Sequence, residues 1–87
     1  MAYRVEVDRE PAKLLRSKRL PGDARMRLAL AIKEMEDDPR AGDARHLKDG
    51  YHCFWRRRVG DYRIIYTIID SEGLVRVVEI CHRSSCY

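Results

Sequence analysis

Arg56, Arg57, Arg58 and Arg63, with His82, Arg83 and Tyr87 near the end of the chain, are the side chains best suited to bind an anion and move protons. The stretch "FWRRRVGDYRIIY", Phe54 to Tyr66, sets three consecutive arginines before Gly60-Asp61 and a fourth just after it. Like charges placed opposite each other on a sheet cost roughly 0.2–1 kcal/mol, so folding gives no reason for the cluster. Binding an anion does. A guanidinium is planar, permanently charged and offers paired donors, which suits phosphate. Chemistry at a phosphate needs a base for the attacking group, cations for the charge that builds on the phosphate oxygens, and an acid for the leaving group. The arginines supply the cations, and Tyr87 or His82 the proton transfer. A phenol, with a pKa of about 10, acts as a base at neutral pH only where neighbouring cations stabilise its anion.

These side chains need a sheet to hold them. Tyr3 to Val7 alternates apolar and polar residues and reads as a strand. Asp8 is placed to cap a helix with Pro11 in its first turn and Leu14 and Leu15 on the core. Pro21-Gly22 breaks the chain, and Asp23 is placed to cap a second helix whose apolar stripe is Leu28, Ala31, Ile32 and Met35. That helix ends before Pro39, and residues Arg40 to Tyr51, which include Gly42 and Gly50, read as a connecting loop. Three strands follow, Cys53 to Val59, Tyr62 to Ile69 and Leu74 to His82. Val59-Gly60-Asp61-Tyr62 has the glycine placement of a type II′ hairpin, and Asp70-Ser71-Glu72-Gly73 makes the next turn. The fold class is therefore α+β: an N-terminal strand, a two-helix hairpin, then a three-stranded antiparallel sheet with the helices on one face.

The hairpin turn places Arg58 opposite Arg63 and Arg56 opposite Ile65 on one face, with Trp55 and Arg57 on the other. The register across the last turn is left open by the sequence. One geometry brings Arg83 to the Arg63 face, and the alternative brings His82.

At 87 residues the chain is a single domain, 1–87, with room for one compact core. Its 18 Lys and Arg exceed its 14 Asp and Glu, for a net charge of +4. The excess lies mostly in the second half, where Arg45 and Lys48 extend the basic surface as candidate RNA contacts. Such a surface points to a polyanionic partner. No apolar run has signal-peptide or membrane-span length. Cys53, Cys81 and Cys86 form no C-x-x-C pair, which fits reduced thiols in a cytoplasm. Cys81, His82 and Cys86 match no zinc-ligand spacing, so neither metal nor cofactor is expected. Paired carboxylates and a Gly-rich phosphate loop are absent.

"RVGDYRIIY", followed after a short turn by a hydrophobic strand and "HRSSCY", resembles the RelE/ParE superfamily of type II toxins, and within it the RelE-like mRNA interferases. The likeness spans essentially the whole chain. It implies a ribosome-dependent endoribonuclease that cleaves mRNA in the ribosomal A site, inhibits translation in the cytoplasm and is held in check by a cognate antitoxin, in a toxin–antitoxin hetero-oligomer. Carried over by position, it implies that Arg63 holds the scissile phosphate, Arg83 makes a second phosphate contact and Tyr87 is a catalytic tyrosine. Arg56 occupies a basic strand position that is usually lysine, and Phe54 a second such position without a charge, so the general base is not assigned. The alternatives are a ParE-like inhibitor of DNA gyrase, which binds rather than cuts, and a non-catalytic basic RNA-binding module. The latter usually displays stacking aromatics on a sheet face, where this chain has arginines and only Phe54.

Overall fold

The structure, a computed structural model, describes residues 2–47 and 53–85. Strand β1 (Arg4–Val7) leads into α1 (Arg9–Leu15) and α2 (Gly22–Glu34). These are followed by β2 (Ala44–His46), β3 (Trp55–Val59), β4 (Tyr62–Ile69), a 3-10 turn at Asp70–Glu72, and β5 (Leu74–His82). The strands form one sheet in the order β1-β5-β4-β3-β2. Strand β1 runs parallel to β5, and the other pairings are antiparallel.

The α+β class and the bounds of β4 and β5 are as expected from the sequence, but the sheet is larger. Strand β1 joins it through a parallel pairing with β5, which hydropathy along a single segment cannot reveal. Part of the expected loop is strand β2, only three residues long, too short to show alternation. It pairs Arg45 with Arg56 and His46 with Trp55. Gly42 makes the approach to it possible: its φ is 73°, and a Cβ there would stand 3.1 Å from the Arg57 guanidinium.

Of the two expected caps, Asp8 holds its position and Asp23 does not. Asp8 stands at the N-cap of α1, but its side chain makes no capping bond and instead accepts from Arg76 Nε at 2.8 Å. Helix α2 begins at Gly22 after Pro21, which leaves Asp23 inside its first turn, where a carboxylate still meets the positive helix end. Arg25 ties the two helices together by donating to the carbonyls of Leu15 at 2.9 Å, Leu20 at 3.3 Å, and Ser17.

The helices cover one face of the sheet. Leu28, Ala31 and Met35 of α2, with Leu20, bury against Ile64, Tyr66, Val75, Val77 and Ile80. Ile32, the fourth residue of the expected stripe, is half-buried at the edge of this cluster. Tyr66 is enclosed and donates its hydroxyl to the Pro39 carbonyl at 2.6 Å, and burial pushes its pKa up to about 12. Cys53 is a free thiol, whereas Cys81 is disulfide-bonded. For Cys81 that corrects the expectation of reduced thiols, which rested on an odd number of cysteines without a C-x-x-C pair.

Candidate active site

The face of the sheet opposite the helices carries Arg45, Arg56, Arg58 and Arg63, whereas Arg57 points to the helices. Strands β3 and β4 pair Arg58 with Arg63, Arg56 with Ile65 and Val59 with Tyr62, the register expected from a two-residue turn. Gly60, at the first central position, has φ 60°, a conformation that side-chain-bearing residues rarely adopt. Because β2 places Arg45 directly opposite Arg56, the same face holds a second pair of opposed arginines.

Strand β5 settles the choice that the sequence left open. Arg63 pairs with Cys81 and Tyr62 with His82, so alternation carries Arg83 to the Arg63 side and His82 to the other. The Arg83 backbone N–H donates to the Asp61 carbonyl at 2.8 Å, which docks the residue beside the β3–β4 turn. Arg58, Arg63 and Arg83, with Gly60 and Tyr62, line a recess of about 160 Å³.

His82 stands apart from this recess. Its ring meets Tyr62 edge to face at 5.4 Å and, with Asp23, Arg27 and Asp61, lines a separate cavity of about 310 Å³ on the helical side. His82 Nδ1 lies 2.8 Å from the Ser84 hydroxyl and 3.3 Å from the Ser84 backbone nitrogen, so its ring is tied to the turn that follows β5. Tyr87 and Lys48 lie outside the described residues.

Neutralisation of the arginines is uneven. Arg57, on the helical face, is only 13% exposed, pairs with Glu34 of α2 and donates to the Ala31 carbonyl at 3.4 Å. Arg56 lies 3.9 Å from Asp43, with its side chain 11% exposed. Arg83 approaches Asp61 at 3.7 Å, but both are largely in solvent, where such a pair contributes about 0–1 kcal/mol. Arg58 and Arg63 form no ion pair among the described residues. Glu79, on the same face through its pairing with Ile65, forms none either. Among the described residues, no three His, Cys, Asp or Glu side chains gather as metal ligands.

The sequence pattern of the family described as "ParE toxin of type II toxin-antitoxin system, parDE" matches residues 6–87. The toxin RelE3 of Methanocaldococcus jannaschii is 34% identical over 73 residues, covering 80% of this chain and 81% of that protein. The chain belongs to the RelE/ParE superfamily of type II toxins. The fold of this RelE-like toxin agrees. The archaeal RelE–RelB complex of Pyrococcus horikoshii superposes with a TM-score of 0.82 at 24% identity, over 99% of this chain and 100% of that one. The RelB–RelE antitoxin–toxin complex of Methanococcus jannaschii gives 0.71 at 27% identity, over 92% of each.

The structure brings together Arg45 and Arg56, then Arg58, Arg63 and Arg83, and leaves His82 on the opposite side. One functional candidate is not evident from the sequence. Arg27 of α2, which reads as an ordinary solvent-facing residue, reaches the β3–β4 turn, where a Cβ on Gly60 would lie 2.9 Å from its guanidinium. The only signal for it is the glycine itself.

Proposed function

We propose that this toxin is a ribosome-dependent, metal-independent endoribonuclease that cleaves mRNA in the A site and so inhibits translation in the cytoplasm. The observation that carries the reading is the recess of Arg58, Arg63 and Arg83, where two directly opposed guanidinium groups have no counter-ion among the described residues. Arg63 and Arg83 hold the scissile phosphate, and Arg58 and Arg56 add positive potential as charge builds on the equatorial oxygens. The 2′-oxygen attacks phosphorus and the bond to the 5′-oxygen breaks, leaving a 2′,3′-cyclic phosphate and a 5′-hydroxyl. Tyr87, the tyrosine to which the family resemblance gives a catalytic role, is the proton-transfer group we favour over His82, whose strand position faces away from the recess. Arg45 and Lys48 extend the contact along the RNA. The ribosome supplies the substrate orientation that so small a surface lacks.

The partner that restrains the toxin is a cognate antitoxin with an acidic segment for the arginine face. The RelE-type proteins of the two archaeal complexes are bound to RelB antitoxins. A second reading, a ParE-like inhibitor of DNA gyrase, has the family's description in its favour. Inducing the chain in bacteria and mapping mRNA 5′ ends separates the two. Cuts inside codons at translating ribosomes, unaffected by chelator when repeated in vitro, are expected. Supercoiling defects without such cuts would replace the nuclease with the gyrase inhibitor.

A further inference from the structure

We propose that the phosphate-binding surface continues round the β3–β4 turn onto the helical layer, where Arg27 and Arg58 hold a second phosphate of the same single-stranded RNA. The proposal rests on the nuclease reading above and extends it to a residue of α2. Gly60 is its hinge point. A Cβ at Gly60 would lie 2.9 Å from one terminal nitrogen of Arg27 and 3.3 Å from its central carbon and the other terminal nitrogen. The guanidinium therefore lies against bare backbone that only glycine leaves open.

Gly60 and Arg58 line the 160 Å³ recess on the outer face. Both also line a groove of about 270 Å³ between α2 and β3, together with Arg27 and Arg57. These two residues therefore border both concavities, and the shortest way from the recess to the groove runs over the β3–β4 turn. The charge of the groove is available. Arg57 is engaged by Glu34, whereas Arg27 and Arg58 form no ion pair among the described residues. Asp23 and Asp61 border the neighbouring cavity with Arg27, yet neither pairs with it. Leu30, Ala31 and Val59 give the groove an aliphatic wall, suited to the non-ionic part of a nucleotide. Arg27 is exposed and makes no side-chain hydrogen bond among the described residues, so the fold itself gives no reason for its position.

The test is the salt dependence of binding to a single-stranded 2′-O-methyl RNA hexamer, which cannot be cleaved because its 2′-oxygens are blocked. Fluorescence anisotropy on the full chain at low ionic strength compares wild type with Arg27→Gln, Arg27→Lys and Arg63→Gln. For a single strand, removing one phosphate-neutralising cation lowers the slope of log K against log salt by about 0.7. Arg27→Gln and Arg63→Gln are each expected to show that decrease, and Arg27→Lys to keep the wild-type slope. Should Arg27→Gln not fold, Arg27→Met, which keeps an aliphatic stem over Gly60, is expected to give the same decrease. A wild-type slope in the uncharged Arg27 variants with a reduced slope in Arg63→Gln would overturn the second subsite and leave the nuclease surface standing. A wild-type slope in all of them would contradict both, and no binding by the wild type would overturn the second subsite, leaving the nuclease reading to the ribosome assay.

Discussion

Two arginines facing each other across a sheet repel unless a carboxylate or a bound anion offsets their charge, and the arginines of this chain divide on that point. Arg57 has its answer inside the molecule, in Glu34 and the Ala31 carbonyl. Arg58 and Arg63 have none among the described residues, and a directly opposed pair costs roughly 0.2–1 kcal/mol. Sulfate should therefore raise the melting temperature more than chloride at equal ionic strength. General exclusion of sulfate stabilises most proteins, so the comparison is made against Arg63→Gln. That variant should lose the specific part of the effect and melt no lower than wild type without anion. Equal sulfate responses in the two proteins would mean that no anion site exists there. Arg57→Ala should do the reverse: it should lower stability by about 1–3 kcal/mol by leaving Glu34 and a half-buried carbonyl without their partner. Cleavage per folded molecule should survive. Chemical denaturation with an activity assay at matched folded fraction checks both halves.

At the scale of elements, legibility follows how local each determinant is. The Gly60 turn specifies its own register, so the opposition of Arg58 and Arg63 can be read from four residues. The β4–β5 register cannot, because a bulge between Ile65 and Tyr66 shifts the pairing and no sequence rule for the Asp70–Gly73 turn fixes its phase. The side of Arg83 and His82 follows from that bulge and turn together. Strand β2 is illegible for a different reason: its pairing with β3 is long-range, and Arg45 and Arg56 as opposed neighbours are a poor advertisement for a strand. The far end of the sheet is clamped by Asp70, which accepts from Arg40 at 2.8 Å and from the Tyr3 hydroxyl at 2.7 Å. The Arg40 bond first, and the Tyr3 bond after it, hold the Asp70 carboxyl below its ordinary value. A lowered carboxylate pKa contributes stability that is present above the unfolded value, about 3.9, and is lost as pH falls through the lower folded value. Asp70→Asn should thus flatten the acid limb of the stability profile and leave the neutral-to-alkaline limb unchanged. An identical acid limb would show that the clamp contributes nothing.

At the scale of the whole molecule, placing both helices on one face leaves the other face of a small sheet to the arginines. A fold with a single core divides into a stabilising side and a basic side. An acidic antitoxin segment that covers the basic side should associate more slowly as salt rises, because long-range steering is screened. Stopped-flow association with the cognate antitoxin at several ionic strengths measures this, and salt-independent rates would place the contact elsewhere. In the proposed reaction the recess beside the β3–β4 turn holds the phosphate being cleaved. The most direct test of that role is the single-turnover rate of mRNA cleavage on programmed ribosomes by Arg63→Gln, with thermal melting as the control for folding. Removing one preorganised donor to a developing oxyanion typically costs about 10²–10³ in rate. A decrease of that size in a protein that melts like wild type is the predicted result. A destabilised Arg63→Gln protein that still cleaves at close to the wild-type rate would contradict it, showing that the arginine is structural and that the active face lies elsewhere.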